Sequence, residues 1–258
     1  MIAPQPARVR TEMTLNTEKT VGEIAAEYPA AARVFEKHHI DYCCGGKHPV
    51  VEACRVAGVR AEDVMTEVET AGQTALAQQA PDWNAAPLSE VVQHILDKHH
   101  AWLREELPLI GQLLKRMLEL HGVRFLPLQR VFTHLRNELE SHMRKEEKFL
   151  FPSILRMEQA VAAGGRIPKS PFGSVRHPIL MMEQDHDVVS RDLDEIRDIT
   201  YGYDLPADAC MSFRALYREL QALEADLHTH MHLENNIVFP RTARLEREDC
   251  VLPGEERC

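Results

Sequence analysis

Between residues 88 and 114 apolar side chains stand at 88, 92, 96, 103, 107, 110 and 114. Steps of three, four and seven trace one buried face of an amphipathic helix. A related spacing returns at Val131, Leu135, Leu139, Met143 and Leu150, so the pattern predicts helices over 88–120 and 128–156. Two further helices are expected over 178–200 and 207–244. Pro108 interrupts the first and is a candidate kink. The stretch 162–176, with Gly164-Gly165 and two prolines, reads as a loop. Strand-like alternation and hairpin turns are absent from the pattern. Four long helices with short or medium connections make an antiparallel four-helix bundle over 88–246.

Ahead of the bundle, residues 16–70 read as a small helical module. A short helix starts at Val21 and stops before Pro29, and a second covers 30–39. Residues 40–49 form a turn in which Gly45-Gly46 offers positive φ and Pro49 suits the first turn of the next helix. Two more short helices follow. The Ala- and Gln-rich stretch 71–87 has weak periodicity and reads as a linker. Residues 1–15 are expected to be mobile and 247–258 to form a tail. The fold class is therefore all-α.

The chain has 258 residues, 44% hydrophobic and 27% charged, ordinary for a globular protein and enough for a bundle with a small domain. A net charge of −10 gives no electrostatic footprint for nucleic acid or an anionic membrane. No apolar run approaches the roughly 18 residues of a membrane span. The N-terminus lacks the apolar core of a secretory signal. The six cysteines, at 43, 44, 54, 210, 250 and 258, do not form a secreted disulfide framework. A reducing cytoplasm, with thiols free or redox-active, is the expected setting.

Fourteen histidines stand beside 2 Trp and 5 Tyr, and histidine is the commonest metal ligand. Their placement follows an internal repeat. ELESHMRKEEKFLFP, residues 138–152, aligns without gaps on DLHTHMHLENNIVFP, residues 226–240. Each copy holds His-x-x-x-Glu before a Phe-Pro exit: His142 with Glu146, and His230 with Glu234. Positions four apart lie on one helix face. His100 and His186 each open a weaker repeat, with apolar residues at +3, +7 and +10. One His-x-x-x-Glu is ordinarily a solvent-facing pair. Two matched copies with a histidine from each partner helix are a di-metal inventory, in which each ion takes two imidazoles and both carboxylates bridge. Burying six such groups without a metal would cost several kcal/mol each.

Glu138 and Asp226 lie one turn before His142 and His230, and Asp185 adjoins His186. They are candidates to hold the outer nitrogen of a ligand histidine or to carry protons, though solvated acids would look the same. His121 is open as a fifth ligand or a gate. His94, His134, His177 and His228 read as surface or capping groups. Cys43-Cys44-Gly45-Gly46 reads as accessible thiols for thiol chemistry or metal handling, with pKa values lowered by His38, Lys47 and His48, or else as a plain tight turn. The donor set itself leaves iron, manganese and zinc open.

IDYCCGG after a short helical unit, then a linker, then HMRKEEKFLFP and HMHLENNIVFP in a bundle, resembles the repair-of-iron-centres family of the ScdA/YtfE type. The likeness spans roughly residues 15–245. It implies a hemerythrin-like bundle holding two carboxylate-bridged irons per chain, and an N-terminal domain that carries the di-cysteine. The ligands it implies are His100, His142, Glu146, His186, His230 and Glu234. The implied role is repair of iron–sulfur clusters damaged by nitric oxide or oxidants, through iron donation or nitric oxide reduction, with apo or damaged cluster proteins as partners. The alternative is a hemerythrin-type protein that binds or senses oxygen or nitric oxide without turnover. The oligomeric state is open, with a homodimer as one option.

Overall fold

The computed structural model describes residues 19–75, 81–168 and 173–250. The expectations for 1–15, for 76–80 of the linker and for 251–258 of the tail lie outside them.

Four short helices form the N-terminal domain: α1 (Val21–Glu27), α2 (Ala31–Lys37), α3 (Val50–Val56) and α4 (Ala61–Ala75). α1 starts on a capping box, in which Thr20 Oγ1 accepts from Glu23 N–H and Glu23 returns to Thr20 N–H. Val21, Ile24, Phe35, Val50, Cys54, Val64 and Val68 close a small core of their own. α4 continues five residues into the expected linker. Of the remainder, 81–87 is held in place: Arg241 donates to the carbonyls of Trp83 and Ala86, and Asn84 donates to Ala26.

The bundle has four rods. Residues 88–121 form α5, which consists of Leu88–His94, a π-helical turn at Ile95–His100, and Ala101–His121. Residues 126–162 form α6, with a π-turn at Glu146–Leu150. α7 is Arg176–Ile199 and is α-helical throughout. Residues 211–250 form α8, with a π-turn at Glu234–Val238. α8 starts at Met211 rather than at the expected 207, and Pro108 lies within the continuous Ala101–His121 segment, its ring exposed. Antiparallel pairing follows from the contacts. His100 and His121 of α5 meet His230 and Cys210, while His134 and His142 of α6 meet Asp192 and Asp185 of α7.

The apolar stripes meet in two separate cores. One gathers Leu103, Leu107, Ile110, Leu135, Leu139, Val189, Leu193, Leu220 and Leu227. The other gathers Leu88, Val92, Ile95, Leu150, Phe151, Met182, Leu233 and Ile237. In each rod a polar pair or single histidine falls between the two sets. A polar layer therefore crosses the bundle where the stripe would otherwise continue.

Candidate metal centre

That layer holds the six residues of the repeat, each at most 1% exposed. His100 ends the π-turn of α5. His142 and His230 lie one turn before Glu146 and Glu234, which open the π-turns of α6 and α8. A π-turn admits an extra residue and is common where a helix carries function. His186 comes from the regular helix α7.

The imidazoles pair across the pseudo-twofold repeat rather than within it. His100 Nε2 is 3.2 Å from His230 Nε2, and His142 Nε2 is 3.2 Å from His186 Nε2. Glu146 Oε2 lies 3.3 Å from Nε2 of both His100 and His142. Glu234 Oε1 is 2.8 Å from His230 Nε2, and its Oε2 is 3.0 Å from His186 Nε2. Two groups thus have ligand atoms within 4.8 Å of one another: His100, Glu146, His230 and Glu234, and His142, His186 and Glu234.

All four carboxylate oxygens of Glu146 and Glu234 are buried and none receives a hydrogen bond. Buried carboxylates are ordinarily paired or coordinate a metal. Burial and mutual repulsion would raise the pKa of Glu146, yet the neighbouring imidazoles hold it below the usual range, and those around Glu234 outweigh burial still more strongly. Both acids therefore stay ionised. Burial opposes charge on His142 but Glu146 raises its pKa well above normal, whereas burial wins at His230 and lowers it. An N- and O-donor layer with two carboxylates fits a pair of divalent first-row ions. A divalent ion at a thousand times its Kd adds about 4 kcal/mol to folded-state stability. At about 2–4 °C per kcal/mol for a chain of this size, adding metal is expected to raise the Tm by roughly 10 °C, checked by calorimetry with and without chelator.

Outer partners fix three of the four rings. Glu147 Oε1 lies 2.8 Å from His100 Nδ1, Asp185 Oδ2 3.3 Å from His142 Nδ1, and Asn235 Oδ1 2.9 Å from His186 Nδ1. Lys145 in turn donates to Asp185 at 2.7 Å.

Comparison with known proteins agrees with this arrangement. Residues 17–72 match the ScdA_N family, described as a domain of unknown function (DUF542), and residues 91–242 match the hemerythrin HHE cation binding domain. The iron-sulfur cluster repair protein YtfE of Pectobacterium carotovorum is 33% identical over 232 residues, 89% of this chain and 98% of that protein. The proteins of that name from Cronobacter sakazakii and Escherichia coli O157:H7 are 34% identical over 233 residues (89% and 98%) and 36% over 229 (87% and 96%). The chain belongs to the YtfE family.

In this YtfE-family chain the di-cysteine turn is less open than the sequence suggests. Asp41 organises it: Oδ1 accepts from the amides of Cys43 and Cys44, and Oδ2 from that of Gly45. Neither Gly45 nor Gly46 takes positive φ. Gly46 is needed instead for close approach, since a Cβ there would lie 2.5 Å from Asn236 Oδ1. The turn faces the bundle, where Cys43 is buried and Cys44 half-buried. Ser190 Oγ donates to Cys44 Sγ at 3.2 Å, Met231 Sδ is 3.9 Å from it, and Asn235 Nδ2 donates to the Cys43 carbonyl. Asn235 thus joins the thiol turn to His186. A hydrogen bond from Cys43 to Cys44 raises the first pKa, which burial raises further, and lowers the second, with help from Ser190. His38, Lys47 and His48 do not set these values: Lys47 and His38 pair with Glu183 and Glu67, and His48 is exposed.

Other expectations are corrected. His121 is far down α5, against Cys210 at 3.4 Å and beside Phe125 and Phe213, and belongs to neither ligand group. Glu138 has no hydrogen bond to a histidine of the layer. Asp226 bonds His99, at 2.9 Å, and not His230. His99 itself is buried and stacked on His230. His228 is a domain-docking group, with Nδ1 2.7 Å from Glu36. Glu147 and Asn235, each one residue beyond a repeat glutamate, escaped the sequence reading although adjacency was their signal.

Proposed function

We propose that this protein is a di-iron protein that restores iron–sulfur clusters damaged by nitrosative or oxidative stress. The observation that carries the reading is the buried layer of four imidazoles and two carboxylates whose oxygens have no other partner. The cluster-repair names of relatives that match almost end to end supply the biological setting. His100, His142, His186, His230, Glu146 and Glu234 would hold two irons, which when bound supply redox chemistry toward nitric oxide or oxygen species and a store of transferable iron. The protein's own part is positional. Glu147, Asp185 and Asn235 aim three imidazoles, and the two apolar cores keep bulk water from the layer. Cys44, beside Ser190 and within reach of Asn235, is placed to exchange ligands with a recipient once the turn lifts. The recipients are apo or damaged cluster proteins. The four described cysteines are free thiols, which suits a reducing cytoplasm. No helix among the described residues is long and apolar enough to cross a membrane.

Iron transfer to an apo iron–sulfur protein tests this. The iron-loaded chain is expected to reactivate the recipient, and Cys43→Ser/Cys44→Ser to retain iron but transfer it at least about ten-fold more slowly. Equal transfer by that variant would remove the thiols from the mechanism. Production of nitrous oxide from nitric oxide by the reduced protein would assign turnover. A stable adduct with no transfer would instead support a binding or sensing protein.

A further inference from the structure

The two halves of the layer are not held alike. His142 and His186 each have Nδ1 tied to an acceptor, Asp185 and Asn235, and Asp185 is itself held by Lys145. In the other half His100 is tied to Glu147, but His230 Nδ1 is buried with no hydrogen-bond partner. A metal-bound histidine ordinarily gives its outer N–H to a carboxylate, carbonyl or water, which fixes the ring and strengthens it as a ligand, and loss of that partner weakens metal binding about 10–100-fold.

His230 is restrained in a different way. Its ring lies parallel to that of His99, centroids 5.3 Å apart and planes 6° apart. His99 is fixed by Asp226, Nδ1 to Oδ1 2.9 Å, and also meets His94 in a T-shaped contact with centroids 5.7 Å apart. Stacking limits tilt but, unlike a hydrogen bond, leaves in-plane sliding nearly free. The acid one turn before His230 is therefore spent on the stacking residue and not on the ligand.

We propose that the His100/His230 half of the centre is its exchangeable half, and that His99, pinned by Asp226, is the positioning residue that sets how firmly that half is held. This rests on the di-iron reading and deepens it, because a protein that gives up iron while keeping its fold needs one ion to leave before the other. The ion departs as ferrous iron, with no electron transferred. Glu146, Glu234 and the tethered His142/His186 pair remain to hold the second ion.

The test is extraction of iron from the full chain, loaded anaerobically with ferrous iron and mixed with excess ferrozine. Two phases of equal amplitude are expected, with rates about 10–100-fold apart. His99→Leu should accelerate only the fast phase. His99→Phe, which restores a flat ring without the hydrogen bond, should return it toward the parent rate, as a merely structural role for His99 would not require. Asp185→Asn should accelerate only the slow phase. A single phase in the parent chain, or a slow phase that responds to His99→Leu, would overturn the assignment even with two irons bound. A chain that takes up no ferrous iron would overturn the di-iron reading itself.

Discussion

Glu234→Ala is expected to abolish tight metal binding in both halves of the layer at once. Glu234 is the one residue common to both ligand groups, with Oε1 toward His230 and Oε2 toward His186. Removing it deletes a ligand from each ion and half of the negative charge that compensates them. Loss of an outer partner alone weakens metal sites about 10–100-fold, so loss of a shared ligand should exceed about 100-fold for each ion. Metal analysis after gel filtration reads this directly. His121→Ala, by contrast, should keep the full metal content.

Gly22→Ala and Gly46→Ala are expected to loosen the N-terminal domain from the bundle while leaving metal content intact. Asn236, in the π-turn of α8, passes between these two glycines and donates to the carbonyls of Tyr42 and Cys43. A Cβ at Gly22 would lie 2.3 Å from Asn236 Oδ1 and 2.8 Å from the Gly46 carbonyl oxygen. At Gly46 it would also meet the Tyr42 carbonyl oxygen at 2.8 Å. Overpacking of this kind costs about 1–3 kcal/mol, shared between docking, through Asn236, and the domain's own turn, through the Gly46 and Tyr42 carbonyls. Hydrogen exchange should rise across 40–49 and in the Glu36–His228 contact region, and Cys44 should become readily alkylated. Unchanged exchange and alkylation would mean that the domain adjusts without parting from the bundle.

Much of this was legible in the sequence. The 88-residue repeat named four of the six layer residues, and the +3, +7, +10 runs after His100 and His186 named the others. Steady α-helical phase failed at one place, the π-turn Ile95–His100. The extra residue there turns His99 and His100 both inward and puts Ile95, not Leu96, fully in the core. The same turn explains Asp226. One turn before a ligand is the right height for an outer partner, but His99 reaches it first. α5 has a π-turn at its ligand histidine and α7 has none. The burial of Cys43 was not legible at all. It depends on contacts nearly two hundred residues away, with Asn235 and Asn236, that no local pattern encodes.

The most direct measurement is anaerobic titration of the metal-free chain with ferrous iron, alongside His142→Ala. Uptake of two irons per chain is expected in the parent, with an oxo-bridged absorption on oxidation. The variant should take up one iron or none and lack that absorption. No uptake by the parent, or equal uptake by His142→Ala, would contradict a di-iron centre built from these six residues.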